Sequence, residues 1–404
     1  MLRRLKLTTA GESHGVALAV ILEGIPAGLR LGPADVAGEL ARRQGGHGRG
    51  GRMKIERDEG EIFAGVRLGE TIGAPIGIRI PNRDFENWRA AMAVEAPAEE
   101  QEELLRRVYL PRPGHADLAG MLKYGRADAR DVLERASARE TAARVAAGAV
   151  AKRLLAEFGV RVESHVVRIG PVASTSHAWP DDMNAVADAS PVRCLEEEAG
   201  AAMVRAIDDA RRADDSLGGV FEVVARGLPV GLGSYATWES RLSGRLAGAL
   251  MSIHAMKGVE FGLGFASAGR RGSEVHDEID RDDAARLPGG YARRSNRAGG
   301  LEGGMTTGQA LVARVAMKPL SSLRRPLDSV DVRTGEPARA IRERSDVCAV
   351  PAAGIVGEAM AALVLADAWL EKFGGDSVDD TRAAVERYLD RIGRSRPGSA
   401  GEGT

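Results

Sequence analysis

Helix-patterned and strand-patterned segments succeed one another along this chain without strict strand–helix–strand alternation and without a fixed-period repeat. That irregular order argues against a doubly wound parallel sheet or a solenoid and for an α+β fold. "GVALAVILEGIPAGLRL" reads as a buried strand followed by a turn at Pro26. "GPADVAGELARRQG" puts Pro33 at an early helical position and Gly45 at the stop, and so reads as a helix. "RMKIERDEGEIFAGVRLGETIGAPIGIRIPN" alternates apolar and polar residues between turn signals, which predicts two or three antiparallel strands. The clearest helix is "DARDVLERASARETAARVAAGAVAKRLLAEFG", ending at Gly159. "VRVESHVVRIG" resumes strand alternation, and two helix-then-strand units follow, "CLEEEAGAAMVRAIDDARRADD" into "GGVFEVVARGLPVGLG" and "ESRLSGRLAGALMSIHAMKG" into "VEFGLGFASAG". "GIVGEAMAALVLADAWLEKFG" reads as a largely buried helix. The acidic stretch 94–106 reads as a solvated connection and "RSRPGSAGEGT" as a disordered tail.

With 404 residues, 44% of them apolar and only 4% aromatic, the chain can bury a sizeable core built mostly of Ala, Val, Leu and Ile. The formal charge of −1 supplies no global field to recruit nucleic acid or an anionic membrane. Cys194 and Cys348 make neither a disulfide framework nor a metal-ligand cluster, so no metal is expected. The basic N-terminus lacks the apolar run of a signal peptide, and no uninterrupted apolar stretch reads as long enough to span a bilayer. The expectation is a soluble cytoplasmic protein with no nucleic-acid or membrane partner.

Six stretches carry groups that do chemistry. In "TTAGESHG", Glu12, Ser13 and His14 stand between Gly11 and Gly15, which permit tight turns and close ligand approach. A polar turn between two strands is the plainer reading, and the octapeptide alone leaves both open. In "ARRQGGHGRGGRMKIER", Arg42, Arg43, Arg49, Arg52, Lys54 and Arg57 are packed among five glycines. Arginine forks of this kind bind phosphate and carboxylate. A solvated basic loop and an RNA-contacting segment are the alternatives, the latter weakened by the absence of interleaved aromatics. In "PRPGHADLAGMLKYG", His115 follows a rigid Pro-Gly turn and neighbours Arg112, Asp117 and Lys123, which would set its protonation. In "ERASARET", Arg135 and Arg139 share a helix face, with Glu134 and Glu140 available to separate them. The glycine-rich "SNRAGGLEGGMTTGQ" precedes "MKPLSS", and "RERSDVCAVPAAG" sets Arg344 and Asp346 just ahead of the C-terminal helix.

Taken together these stretches resemble the chorismate synthase family. "TAGESHG", "RRQGGHGRGGRMKIE", "RPGHADLAGMLKYG", "ERASARETAARVAAGAVAKRLL", "DSLGGVFEVVARGLPVGLG", "MKGVEFG", "SNRAGGLEGGMTTGQ", "MKPLSS" and "RSDVCAVPAAGIVGEAM" match its motifs, in its order, from residue 9 to residue 360. The resemblance implies a β-α-β sandwich of antiparallel sheets enclosing helices. It implies one catalytic domain over 1–375, followed by a C-terminal helix and tail over 376–404. It implies a homotetramer that eliminates phosphate and one hydrogen from 5-enolpyruvylshikimate-3-phosphate to give chorismate. The reaction needs reduced FMN without net redox change. NADPH enters only if the protein reduces its own flavin.

The resemblance also implies roles. His14 would protonate the departing phosphate, His115 would protonate the reduced flavin near its N1 and O2 edge, and Asp346 would take a proton from flavin N5. Ser13, Arg43, Arg49, Arg52 and Arg139 would hold the phosphate and carboxylates of the substrate, with help from Arg344. The flavin would touch Arg135, Ala136, Ser137, His254, Ala255, Gly303, the run Lys318, Pro319, Leu320, Ser321 and Ser322, and Arg344. Three positions depart from the family pattern: His47 stands where Tyr is usual, Leu320 where Thr is commoner, and His254 where Asn, Pro or Gln is often found. A flavin oxidoreductase with net electron transfer is the runner-up, but no nicotinamide-binding fingerprint is evident. An RNA-binding scaffold is a distant third.

Overall fold

The computed structural model describes residues 2–50, 58–95, 102–175, 178–281, 290–343 and 345–394. Two antiparallel sheets sandwich a layer of helices. The first sheet has strands β1 (Lys6–Ala10), β2 (Ala17–Glu23), β3 (Glu61–Ala64) and β4 (Ile76–Pro81), in the order β1-β2-β4-β3. Alternation along β2 buries Leu18, Val20 and Leu22 and turns the residues between them outward. Ile76, Ile78 and Ile80 do the same on β4.

The second sheet has β5 (Arg161–Ile169), β6 (Val172–Ala173), β7 (Gly219–Arg226), β8 (Met256–Phe261) and β9 (Leu311–Met317), in the order β8-β9-β7-β5-β6. All neighbouring strands in both sheets run antiparallel. The sandwich expected from the resemblance is therefore present, as a mixed α+β architecture.

The helices named here are α1 (Pro33–Gln44), α2 (Thr141–Ala156), α3 (Glu197–Arg212), α4 (Leu242–Met251), α5 (Val350–Phe373) and α6 (Val378–Arg394). Helices α2 and α5 pack on each other, α2 against β2 and α5 against β5 and β7. Their approach is close because Gly148 has no side chain: a Cβ there would meet the Ala359 Cβ at 2.3 Å. Helix α5 is long and apolar enough to cross a membrane, contrary to the sequence expectation, yet its whole apolar window is buried inside the fold. Burial between the second sheet and helices α1, α2 and α4 explains why it is apolar all round. Its Glu358 is fully buried and is met by Arg42 Nη1 at 2.8 Å, Lys152 Nζ at 2.7 Å and Arg193 Nη2 at 3.2 Å.

One expected element is broken. The helix predicted up to Gly159 is interrupted: a short turn at Arg130–Leu133 and a 3₁₀ turn at Ala138–Glu140 precede α2. Ser137 sits at the break in extended conformation, and its hydroxyl accepts the Arg139 N–H. That local cap competes with helix continuation. Arg135 and Arg139 therefore do not share a helix face. Of the stretches read from sequence, residues 51–57, Arg344 and the tail beyond 394 lie outside the described residues.

Candidate active site

The "GESHG" stretch is the turn between β1 and β2, so the plainer reading of it holds. The same turn also builds one wall of a cleft of about 440 Å³. Gly11 takes φ +105°, and a Cβ there would meet the Ala17 carbonyl oxygen at 2.3 Å. The turn is clamped from outside: Asn82 Nδ2 donates to the carbonyls of Glu12 (3.1 Å) and Gly15 (2.7 Å). His14 is then fixed by Glu134, whose carboxylate accepts from the His14 backbone N–H at 2.9 Å and meets Nδ1 at 3.0 Å. Arg130 Nη1 donates to the same carboxylate at 2.9 Å. Burial would raise the Glu134 pKa, but its His14 and Arg130 contacts outweigh that and hold it below the usual glutamate range. With Nδ1–H given to Glu134, proton exchange at His14 falls to Nε2.

His115 is arranged in the same way. Its Nδ1 lies 2.5 Å from Asp117 Oδ1, and Arg112 Nε donates to Asp117 Oδ2 at 2.9 Å. Asp117 is fully buried, which would raise its pKa; the hydrogen bonds from His115 and Arg112 prevail and keep it well below the carboxylate range. Arg112 continues to the Ser322 hydroxyl at 2.7 Å, tying this histidine to the 318–322 run.

Between the histidines lie the arginines. Arg43, at the end of α1, donates to Thr141 Oγ1 (3.0 Å), Asp58 Oδ2 (3.3 Å) and the Ala138 carbonyl (3.0 Å). Burial, with Arg139 and Arg49 nearby and Asp58 opposing, pushes its pKa down to about 10. Arg139 pairs with the other oxygen of Asp58 and donates Nε to Asn82 Oδ1 at 2.9 Å. Its Nη2 is buried and finds no protein acceptor among the described residues. Arg49 Nη1 donates to Asp346 Oδ2 at 2.6 Å, and the Gly50 N–H donates to Asp346 Oδ1 at 2.6 Å.

The lining also includes Ala136, Ser137, His254, Ala255 and the run Lys318, Pro319, Leu320, Ser321 and Ser322, and the Ser137 hydroxyl donates to the Ser13 hydroxyl at 3.2 Å. Ala255 takes φ +67°, a left-handed conformation that a non-glycine residue adopts at a cost. Its carbonyl accepts the Lys318 backbone N–H at 3.0 Å. Burial pushes the His254 pKa down, opposed by Glu140 and helped by Arg144, His115 and Arg135; its Nδ1 is buried without a partner among the described residues. Burial and Lys257 likewise lower the pKa of Lys318, whose ammonium donates to the Gly114 carbonyl.

Ser13, His14, Arg43, Arg49, His115, Arg139 and Asp346 thus meet in one cleft with the predicted cofactor residues of 136–137, 254–255 and 318–322. Arg135 and Gly303 do not line it. Arg135 turns back to the Gly11 and Thr9 carbonyls, both at 3.0 Å, and Gly303 sits in the turn of the hairpin Leu301–Thr306. Arg52 and Arg344 lie outside the described residues. Sequence reasoning gave no role to Asp58, Asn82, Trp88 or Arg130, which touch His14, Arg139 or their partners directly.

A cleft of this size, in the usual range of small-molecule sites at roughly 300–1,000 Å³, lined by guanidiniums and two carboxylate-backed histidines, defines an enzyme that binds a small polyanion and moves protons. The comparisons with known proteins give the particular family. The chorismate synthase family model matches residues 5–370. The chain is 57% identical to the chorismate synthase of Rubrobacter xylanophilus, over 96% of this chain and 98% of the relative. It is 55% identical to that of Thermobifida fusca, over 96% and 99%. A crystal structure of chorismate synthase superimposes with a TM-score of 0.78 at 42% identity, covering 97% of this chain and 99% of that one. The chain belongs to the chorismate synthase family. It is a carbon–oxygen lyase that eliminates phosphate and hydrogen from 5-enolpyruvylshikimate-3-phosphate to give chorismate, in aromatic amino-acid biosynthesis.

Proposed function

We propose that this elimination is carried out in the cleft between His14 and His115, by the chain as a single catalytic domain over 1–375. The observation that carries the assignment of roles is the convergence of two carboxylate-backed histidines on one arginine-lined cleft. Arg43, Arg49 and Arg139, with Ser13, hold the phosphate and carboxylates of the substrate, all four being lining residues of the cleft. Arg52 completes the set by resemblance. His14 gives a proton from Nε2 to the departing phosphate, and Glu134 steadies the charge that changes there. His115 moves a proton at Nε2, with Asp117 in the corresponding role. Asp346 takes up a proton on a lone pair that Arg49 and Gly50, which donate once to each oxygen, leave unused.

The lining residues at 136–137, 254–255 and 318–322 suit reduced FMN. The unpartnered His254 Nδ1 offers a hydrogen bond to a ring edge. Lys318 and the hydroxyls of Ser321 and Ser322 offer a cation and donors to a phosphate tail. Ala136, Ser137, Ala255, Pro319 and Leu320 supply the surface between them. When bound, the reduced flavin supplies the electron density that carbon–oxygen cleavage needs, with no net redox change. Arg135, Gly303 and Arg344 belong to this set by resemblance alone. NADPH is a further ligand only if the enzyme reduces its own flavin. A homotetramer in the cytoplasm completes the reading.

Anaerobic chorismate formation from 5-enolpyruvylshikimate-3-phosphate with chemically reduced FMN tests it. His14→Ala and His115→Ala should keep the fold and lose about 10²–10⁴-fold in turnover. Near-normal rates in either variant remove that residue from the chemistry.

A further inference from the structure

The 82–88 segment, an isolated piece of 3₁₀ helix between β4 and the rest of the chain, has no part in the roles assigned so far. Yet both of its ends touch the His14 turn. Asn82, at its head, clamps the carbonyls of Glu12 and Gly15. Trp88, at its foot, is 6% exposed and stacks on the His14 imidazole, with ring centroids 3.9 Å apart and planes inclined by 25°. Glu134 fixes the direction of Nδ1, but a hydrogen bond along one direction leaves the ring free to tilt about it. A nearly parallel aromatic face removes that tilt.

Trp88 is itself held. Its Nε1–H points to Asp84 Oδ2 at 3.4 Å, and the guanidiniums of Arg106 and Arg130 lie 4.1 Å and 4.9 Å from its ring centre. Arg106 takes φ +49°, a strained conformation that places a cation over the indole. Arg130 bridges the two supports, since it touches the Trp88 ring and also donates to Glu134. The site therefore grips His14 on three sides: backbone through Asn82, ring edge through Glu134, ring face through Trp88.

We propose that Trp88 is a positioning residue for His14, setting the plane of the imidazole and so the aim of Nε2 at the departing phosphate. This rests on the proposed role of His14. A misaimed acid loses rate without losing binding, because the substrate is held by other residues.

The test pairs steady-state kinetics with NMR of the enzyme carrying ¹³C-labelled histidine rings. The indole ring current should displace one histidine resonance upfield in the wild type, and that resonance should be the one missing from His14→Ala. In Trp88→Leu, which keeps an apolar side chain but no aromatic face, the His14 resonance should return toward its ordinary position. There kcat should fall about 10- to 100-fold, with KM within about twofold. Trp88→Phe should retain most of both the shift and the turnover. In each folded variant the two readouts move together if Trp88 acts through His14; movement of one without the other overturns the proposal. If Trp88→Leu does not fold, Trp88→Phe alone applies the same criterion. Normal turnover in His14→Ala would instead defeat the reading on which the proposal rests.

Discussion

Asp58→Asn should destabilise the enzyme out of proportion to the two atoms it changes. The Asp58 carboxylate is fully buried and faces Arg43 and Arg139, whose side chains are 6% and 3% exposed. Asparagine keeps the shape and one acceptor oxygen, but it removes the charge and turns an amide NH2 donor toward one of the two guanidiniums. Two buried guanidiniums then share no anion. Burial has already brought the Arg43 pKa down to about 10 against the pull of Asp58, and removing that pull lowers it further. Deleting one partner of a buried pair costs about 3–5 kcal/mol, and the retained amide oxygen puts this case at the low end. Unfolding entropy grows with chain length, so for about 400 residues each kcal/mol moves the melting temperature by about 1–2 °C. The expected drop is about 3–6 °C, read by differential scanning fluorimetry in a non-coordinating buffer. Added inorganic phosphate should return part of it, because an anion held by Arg139 restores a counter-charge. A melting temperature within about 1 °C of wild type, with no greater response to phosphate, would refute the view that Asp58 holds the two arginines in register.

Glu358→Gln should lower stability at pH 7 and blunt its loss in acid. Burial would raise the Glu358 pKa, but Lys152, Arg42 and Arg193 keep it well below the ordinary value in the folded state. Its contribution is therefore fully present above the ordinary glutamate value of about 4.3 and lost as pH falls through the depressed one. Urea titrations at pH 7 and pH 3.5 should show the gap between variant and wild type narrowing in acid. Cys348 should resist thiol reagents in the folded enzyme: burial pushes it up to about 11, leaving about one thiolate in 10³ at pH 8. Labelling as fast as in urea would contradict this. Gly148→Ala should cost about 1–3 kcal/mol by forcing α2 from α5, since the new methyl would lie 2.3 Å from Ala359 Cβ. An unchanged unfolding midpoint would show that the helices can separate freely.

The periodic parts of this fold were legible and the compensating parts were not. A continuous apolar run marks β2, which buries Leu18, Val20 and Leu22, and alternation marks the stretch that holds β3 and β4. Pro33 and Gly45 mark the ends of α1 because each meets a backbone requirement local to its position. The break at 134–138 carries only a faint local signature, Ser137 followed three residues on by Glu140. Its residues are reasonable helix formers, and what stops the helix is Ser137 capping Arg139 while Glu134 reaches back to His14, 120 residues earlier. His14 and His115 stood out through their glycine and proline surroundings. Asp58, Asn82 and Trp88 did not, because an acid, an amide and an indole in ordinary surroundings gain a role only when β4 and the 82–88 segment are folded beneath the β1–β2 turn. Arg135 illustrates the converse: it looked like a partner of Arg139, and in the fold it braces the backbone of Thr9 and Gly11 instead.

The sequence gathers arginines in the 42–57 stretch of a nearly neutral chain, and the structure shows how their charges are offset. Arg43 and Arg139 share Asp58, Arg49 holds Asp346, Arg112 holds Asp117 and Arg130 holds Glu134. Unpaired guanidiniums crowded into a buried cleft would repel one another and carry an uncompensated desolvation cost. Pairing removes that cost and fixes each fork, since a guanidinium has five N–H donors and one carboxylate uses at most two or three. An arginine can therefore be neutralised on one side and still have donors left over; Arg139, whose buried Nη2 finds no acceptor among the described residues, is one of those lining the cleft. The two histidines follow the same logic, each with a carboxylate on Nδ1 and an arginine behind the carboxylate. The arginine restrains the carboxylate from taking the proton outright, which keeps the imidazole as the group that exchanges it. The side chains of the cleft are thus held in place by their own internal ion pairs, which fix where each guanidinium and imidazole stands without a net positive charge on the chain.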